Sequence, residues 1–465
     1  MSTSAVAPSP SALFPASRST LIPAAAAAGI VLGVVYTLSP MTVWFAVASA
    51  LIVMMGTRGL AEGEAAFVRR LLVLAIAVRV LLVAGLLLFG TSDHMWFNTF
   101  FGDEQYLLVR SMRLRQFWLG TSMSLEAFFD LFDLYGQTSY IDVIAFAQVL
   151  IGPAPYGIHL LNSAFYLVGA ILLHRLIRSA FGRVPAAIAL VGLLFLPSLL
   201  VWSASGLKES LTFLVVTCVL TAAVAIVRAG WLWRPLAALI VVAGLAALRT
   251  FRAGAFEITA VGVALGLAGG FITRRLWRVA IVIAMLAALA VSVSRSERIH
   301  TAALTILRPA AGKHLGHVFT RGHAYKLLDQ RLYDSRITNS MTWSEAVRFV
   351  RRSIVSVVLY PLPWESQSTA ELLYVPEQIV WYLILLTALG GVAAGIRRDA
   401  LVTSILLAYA TAALAVVALN TGNIGTLVRH RAFALPYLIA LSAVGVTAAI
   451  GRLSSSSRRA FSTVR

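Results

Sequence analysis

Apolar runs recur through this chain from residue 21 to residue 450, cut apart by short connections that carry arginine. Helices made of such runs have no stable place in water, and lipid is the surrounding that satisfies both their side chains and their backbone. The runs fall at 21–38, 41–56, 71–90, 156–173, 185–201, 209–227, 235–248, 255–272, 276–293, 376–396, 401–419 and 433–450. They predict an all-α fold, a polytopic transmembrane helical bundle of about twelve spans, although several are shorter than the ~20 residues a perpendicular crossing needs. Residues 21–38 could pass for a signal peptide. The weakly basic stretch before them and the second run at 41–56 predict instead a hairpin that stays in the membrane.

Charge fits the same picture. The chain has 38 Lys and Arg against 19 Asp and Glu, a formal net charge of +19, with a mean hydropathy of +0.86. On a soluble protein that excess would suggest nucleic acid. Here Arg58, Arg69, Arg70, Arg175, Arg178, Arg183, Arg228, Arg234, Arg274, Arg275, Arg278, Arg397 and Arg398 sit in connections that the span order puts on one side. The expectation is a multi-pass cell-membrane protein with both termini cytoplasmic, membrane lipids around it and no nucleic-acid partner. The single cysteine, Cys218, excludes an internal disulfide and a cysteine-rich metal cluster. No P-loop or Rossmann fingerprint is present, which argues against direct use of a cytosolic nucleotide.

The expected organisation is a disordered cytoplasmic tail at 1–20, the hairpin at 21–56, and a core at 70–293 with a first outer loop at 91–155. A large extracytoplasmic loop at 294–375, C-terminal helices at 376–450 and a basic tail at 451–465 follow. Both long loops carry amphipathic stretches. Tyr106, Leu107, Arg110, Leu114 and Phe117 are spaced to share one face of a helix at 103–117 lying on the membrane. A second amphipathic piece is expected at 141–151, and an interfacial one at 345–360 ended by Pro361-Leu362-Pro363-Trp364. Gly262, Gly266 and Gly270 fall on one helix face and predict close packing on a neighbour. His314, His317 and His323 lack nearby acidic spacing and read as solvated loop residues.

Asp103 and Glu104 stand out as adjacent carboxylates in Phe100-Phe101-Gly102-Asp103-Glu104-Gln105-Tyr106, within a chain that otherwise avoids acid. Arg79 centres the helix before them. Leu160-Leu161-Asn162 enters the next span, which ends in Arg178-Ser179-Ala180-Phe181-Gly182-Arg183, and Leu196-Pro197-Ser198-Leu199-Leu200-Val201-Trp202-Ser203 follows. This order over residues 70–248 resembles the GT-C superfamily of multi-pass glycosyltransferases, such as the dolichyl-phosphate-mannose and aminoarabinose transferase groups. The resemblance implies a polyprenyl-phosphate sugar donor, and transfer of a hexose or pentose to a glycan, lipid or protein acceptor at the outer face. Ser205-Gly206-Leu207-Lys208-Glu209 departs from many of its members. With Arg429-His430-Arg431 and 361–365, it is similar to polysaccharide polymerase-like membrane proteins, so an O-antigen-type polymerase is the alternative. A transporter or lipid flippase suits twelve helices equally, but it has no need of two long outer loops.

Inverting transfer needs a base, and a carboxylate at a partly desolvated interface suits that role. Asp103 is the first choice, with Glu104 orienting the acceptor or holding a divalent cation, Mg or Mn. The same pair would also cap the N-terminus of a surface helix. The donor's phosphate calls for outer-face cations, and Lys208, Arg249, Arg252, Arg429, His430 and Arg431 lie near outer ends of spans. Pairing of Lys208 and Arg252 with Glu209 and Glu257 is the structural reading of the same residues. Arg79 must find a partner inside the bundle.

Overall fold

The computed structural model describes residues 18–462, except 39, 90–101, 133–136, 153–155, 253, 274–277, 279, 282–283, 286–292, 294, 321, 335–339 and 367–368. Residues 1–17 of the expected tail, Phe100 and Phe101, most of the expected span at 276–293, and 463–465 lie outside the described residues. Among those described the chain is helical, with no β pairing beyond one isolated bridge between Ala324 and Asn423.

The N-terminal helices are α1 (Arg18–Leu38), α2 (Pro40–Thr57) and α3 (Glu62–Phe89), followed by the short α4 (Gly102–Trp118), α5 (Leu125–Leu131) and α6 (Ser139–Ile151). The core is α7 (Gly157–Phe181), α8 (Arg183–Phe195), α9 (Pro197–Ser203), α10 (Glu209–Arg228), α11 (Arg234–Phe251) and α12 (Ala255–Ile272). After it come α13 (Glu297–Val318), α14 (Trp343–Leu359), α15 (Thr369–Asn420), α16 (Ile424–Arg431) and α17 (Leu435–Ser462).

Eight of the described helices are long and apolar enough to cross a membrane, or up to nine if the bent pair α8 and α9 forms one span. The expected count of about twelve is not confirmed: the run at 276–293 lies mostly outside the described residues, and several other runs depart from single straight helices. The run at 21–38 forms a helix whose apolar part, Ile22–Thr37, is short. The run at 185–201 is broken by a 60° bend where Pro197 interrupts the backbone ladder. The runs at 376–396 and 401–419 join in α15, whose 52 residues would stretch about 78 Å if straight. They do not run straight. Asp399 leaves helical geometry at φ −152° and ψ 88°, and a Cβ on Gly395 would meet the Thr403 hydroxyl at 2.6 Å, so two arms double back on each other.

Packing follows the small residues. A Cβ at Gly262, Gly266 or Gly270 would come within 2.5–2.9 Å of a Cα of Tyr409, Ile405 or Leu401, which locks α12 against the second arm of α15 as the glycine spacing implies. Arg79, fully buried in α3, donates to the Ser203 hydroxyl at 2.9 Å and to the Leu194 carbonyl at 3.2 Å, and lies over the Tyr166 ring. It therefore closes the break between α8 and α9, where helix-end carbonyls would otherwise go unpaired in the bundle.

The two ends of the bundle differ in charge chemistry. At one end Arg178 forks onto Glu64 at 2.6 and 2.9 Å, Arg228 pairs with Asp399, Arg175 donates to the Arg58 carbonyl, and Arg398 donates to the Phe181 carbonyl. The 20-residue α10 rises about 30 Å from there to the other end, which holds Lys208, Glu209, Arg252 and Arg429.

Several loop expectations change. Much of α4 packs against the protein, since Leu107, Leu108, Arg110 and Ser111 are buried and Gln148 of α6 donates to the Ser111 hydroxyl at 3.0 Å, while Phe117 stays exposed. A second apolar cluster joins α13, α14 and the end of α15 through Leu315, Leu332, Phe349 and Val417. The histidines are not solvated loop residues. His314 is buried on α13 with Nδ1 2.7 Å from the Thr421 carbonyl, His317 Nδ1 lies 2.7 Å from the Asn420 carbonyl, and His323 pairs with Glu371 at 3.1 Å. Burial pushes the His314 imidazole down to about 4, so it ties α13 to α15 as a neutral ring. The basic tail expected from 451 continues α17 as helix to Ser462.

Candidate functional site

The site is built around the link between α9 and α10, residues 204–208. Every backbone carbonyl of Ser205-Gly206-Leu207 has a side-chain donor. Asn162 Nδ2 donates to the Ser205 and Leu207 carbonyls at 2.7 and 2.8 Å, and the Tyr140 hydroxyl donates to the Gly206 carbonyl at 2.9 Å. The Gly206 N–H donates to Glu104 Oε1 at 2.7 Å, and Glu104 also lies beside His159. A non-helical segment this deep needs such partners. Its consequence is a rigid perch for Lys208 and Glu209.

The acidic pair is therefore divided. Glu104 is buried and strapped to the link, while Asp103 is 69% exposed and pairs with Arg429 at 2.5 Å. The two carboxylates do not present themselves to one ion, and among the described residues no three His, Cys, Asp or Glu side chains converge as metal ligands. Arg429 Nε also donates to Glu209 Oε1 at 2.7 Å, and Arg252 reaches the same oxygen at 3.2 Å. Burial works against the charge on Arg429, but Glu209 and Asp103 outweigh it and hold its pKa above the ordinary value. The Lys208 ammonium has no hydrogen-bond or ion-pair partner among the described residues, and burial together with neighbouring Arg252 pushes it down to about 8. His430 is driven well below the usual imidazole range by burial and by the positive charge of Arg252 and Arg429.

The cationic triplet separates. On α16, residues two apart point about 200° from each other, so Arg429 faces the acidic cluster and Arg431 faces away. Arg431 is buried, donating to Gln378 Oε1 at 2.8 Å and to the Val357 and Tyr360 carbonyls, and it lies over the Trp381 ring. It clamps α14 to α15 and does not join Arg429 around a phosphate. Arg249 is exposed on α11 and shares no hydrogen bond or ion pair with the cluster among the described residues. Arg252 pairs with Glu209 and not with Glu257.

Two cavities flank a common wall made by Thr212, Tyr409 and Phe433. The first is a narrow space of about 20 Å³ lined by Trp202, Ser203, Glu209 and Ser210, with Arg429 beside it but outside its lining. Arg429 stands 5.7 Å from the centre of the Trp202 ring. The second opens between α12 and the second arm of α15 and is lined by Arg252, Lys313, His317 and His430 along with Ile258 and Val416. Glu209 was named in the sequence as a partner for Arg252, but its sharing with Arg429 was missed, as were Lys313 and His317 as cavity residues. Lys313 and His317 are four apart on α13, so helical spacing was the available signal.

Set against known proteins, the chain matches no family model, no curated protein and no solved structure.

Proposed function

We propose that this chain is an integral membrane glycosyltransferase that takes a sugar from a polyprenyl-phosphate-linked donor and passes it to an acceptor hydroxyl at the outer face of the cell membrane, with both termini cytoplasmic. The observation that carries the reading is the meeting of Asp103 with Arg429, beside Lys208, the Trp202 ring and Glu209. A proton acceptor and phosphate-type donors stand within one ion pair of each other, as a displacement at a sugar carbon requires.

The chemistry balances simply. The acceptor oxygen forms a bond to the anomeric carbon, its proton passes to the Asp103 carboxylate, and the bond from that carbon to the phosphate oxygen breaks. The lipid phosphate leaves with the electron pair, and Lys208, Arg252 and Arg429 stabilise its charge. Arg429 is shared with Asp103 until an anion arrives. Phosphate binding draws the guanidinium away and leaves the carboxylate to the acceptor, while Glu209 keeps Arg429 anchored.

Asp103→Asn keeps the size of the side chain and removes its basicity, so transfer in a reconstituted assay falls by about 10²-fold or more. Near-normal turnover of that variant would sink the assignment. The base would then be sought at Glu209, because Glu104 is tied to the Gly206 N–H.

A further inference from the structure

The two cavities differ in their charge balance. The first has one charged lining residue, Glu209, which Arg252 and Arg429 engage. The second is lined by the cations Arg252 and Lys313 and by the imidazoles of His317 and His430, with no Asp or Glu among its lining residues. Arg252 is already engaged by Glu209, but Lys313 is exposed and has no hydrogen-bond or ion-pair partner among the described residues. Another part of its wall is apolar, with Ala255 and Ile258 on α12 and Val416 and Val417 on α15. A cationic part joined to an apolar one is the complement of an amphiphile with an anionic head.

Arg252 and Phe433 keep the cavities apart. The guanidinium lies 4.2 Å from the centre of the Phe433 ring, and that ring lines both spaces. Glu209 braces the same guanidinium from the side of the first cavity. A head group in the second cavity therefore meets Lys313 and the two imidazoles, whereas Lys208 and Arg429 stand outside the lining of both cavities.

We infer that the cavity between α12 and the second arm of α15 is a separate binding site for a single-chain lipid phosphate, with Lys313 and His317 of α13 as its own head-group residues. The inference rests on the proposed glycosyl transfer only in naming this second lipid as the acceptor. On that reading the enzyme holds two phosphate lipids at once, and the acceptor is itself lipid-linked. The Arg252–Phe433 partition sets the two heads side by side, so the acceptor's sugar end has only to cross the partition to reach Asp103.

The test is equilibrium binding of geranylgeranyl phosphate to the full-length chain in detergent. The expected result is two molecules per chain. Lys313→Glu, at an exposed position where folding is retained, together with His317→Gln, lowers the affinity of one site about tenfold or more and leaves the other. Arg429→Ala does the reverse. Inorganic phosphate, lacking a tail, fails to displace the lipid from either site at comparable concentration. A single molecule per chain in the unaltered protein overturns the second site, as does loss of the same molecule by Arg429→Ala and by Lys313→Glu. If Lys313→Glu removes one lipid and Arg429→Ala removes none, the cavity stands and the donor site of the proposed function falls. Equal displacement by inorganic phosphate means that no tail is seated between α12 and α15, and it overturns the inference.

Discussion

Arg429 Nη1 lies 2.5 Å from Asp103 Oδ2, across 326 positions of sequence, and the same guanidinium is held from behind by Glu209 at 2.7 Å. One arginine thus joins the first turn of α4, the start of α10 and the end of α16. Its two carboxylates are not equivalent, since Glu209 is buried and Asp103 is mostly exposed. An incoming anion displaces the exposed partner first, because that bond is the more solvated and the less costly to break.

Arg429 and Arg431 separate experimentally. Arg429→Ala lowers affinity for an isoprenyl phosphate by roughly 10- to 100-fold, as expected for one charge-assisted contact, and Arg429→Lys restores only part because a point charge replaces a fork. Arg431→Ala instead lowers the thermal midpoint, because it leaves the Gln378 side chain and two carbonyls of the α14 end without their donor. Affinity of the folded fraction stays unchanged. Loss of lipid affinity in Arg431→Ala with an unaltered midpoint would contradict the clamp.

Lys208 gives the site a pH dependence. With its pKa brought down to about 8 by burial and by Arg252, the ammonium is charged below that pH and neutral above it. Anion affinity therefore holds through pH 7 and falls as pH rises past about 8, with the midpoint displaced upward once ligand is bound. The unfolded chain keeps that proton to about 10.4, so the folded protein gains stability between these values as pH rises. Lys208→Arg should flatten the affinity profile. A slope that persists in this variant assigns the titration to another group.

The strap on the α9–α10 link is tested at Asn162. Asn162→Ala leaves the Ser205 and Leu207 carbonyls without their donor in a buried segment and costs about 1–3 kcal/mol in unfolding free energy. Turnover falls further than stability alone explains, since Lys208 and Glu209 lose their fixed perch. An Asn162→Ala protein with unaltered midpoint and turnover would show that the link holds its shape without the strap.

Sidedness is checked by single cysteines in a Cys218→Ser background. Cysteine at Trp364, exposed beside α14, is expected to react with an impermeant reagent added to intact cells, and cysteine at Trp233, exposed at the start of α11, only after the cells are broken. The reverse pattern inverts the orientation and removes the outer-face reaction.

Residue order alone determined that this chain is a helical membrane bundle, because an apolar run of sufficient length has one environment regardless of what it packs on. It also determined which arginines share an end: Arg178, Arg228 and Arg398 follow from the alternation of spans. The glycine face of α12 was legible for a similar reason, since a spacing of four is a local property of the helix. The site was legible only in part. Asp103, Arg429 and Lys208 were identifiable as charges at the ends of spans, but nothing local distinguishes Asp103 from Glu104 or Arg429 from Arg431. Tertiary structure decided those pairs, by burying Glu104 against the Gly206 N–H and turning Arg431 toward Gln378. The break at Pro197, the reversal at Asp399 and the arrival of Lys313 and His317 beside Arg252 were decided there too. Each depends on which surfaces meet across long stretches of chain, and in a low-dielectric interior a charge goes wherever a distant partner can satisfy it.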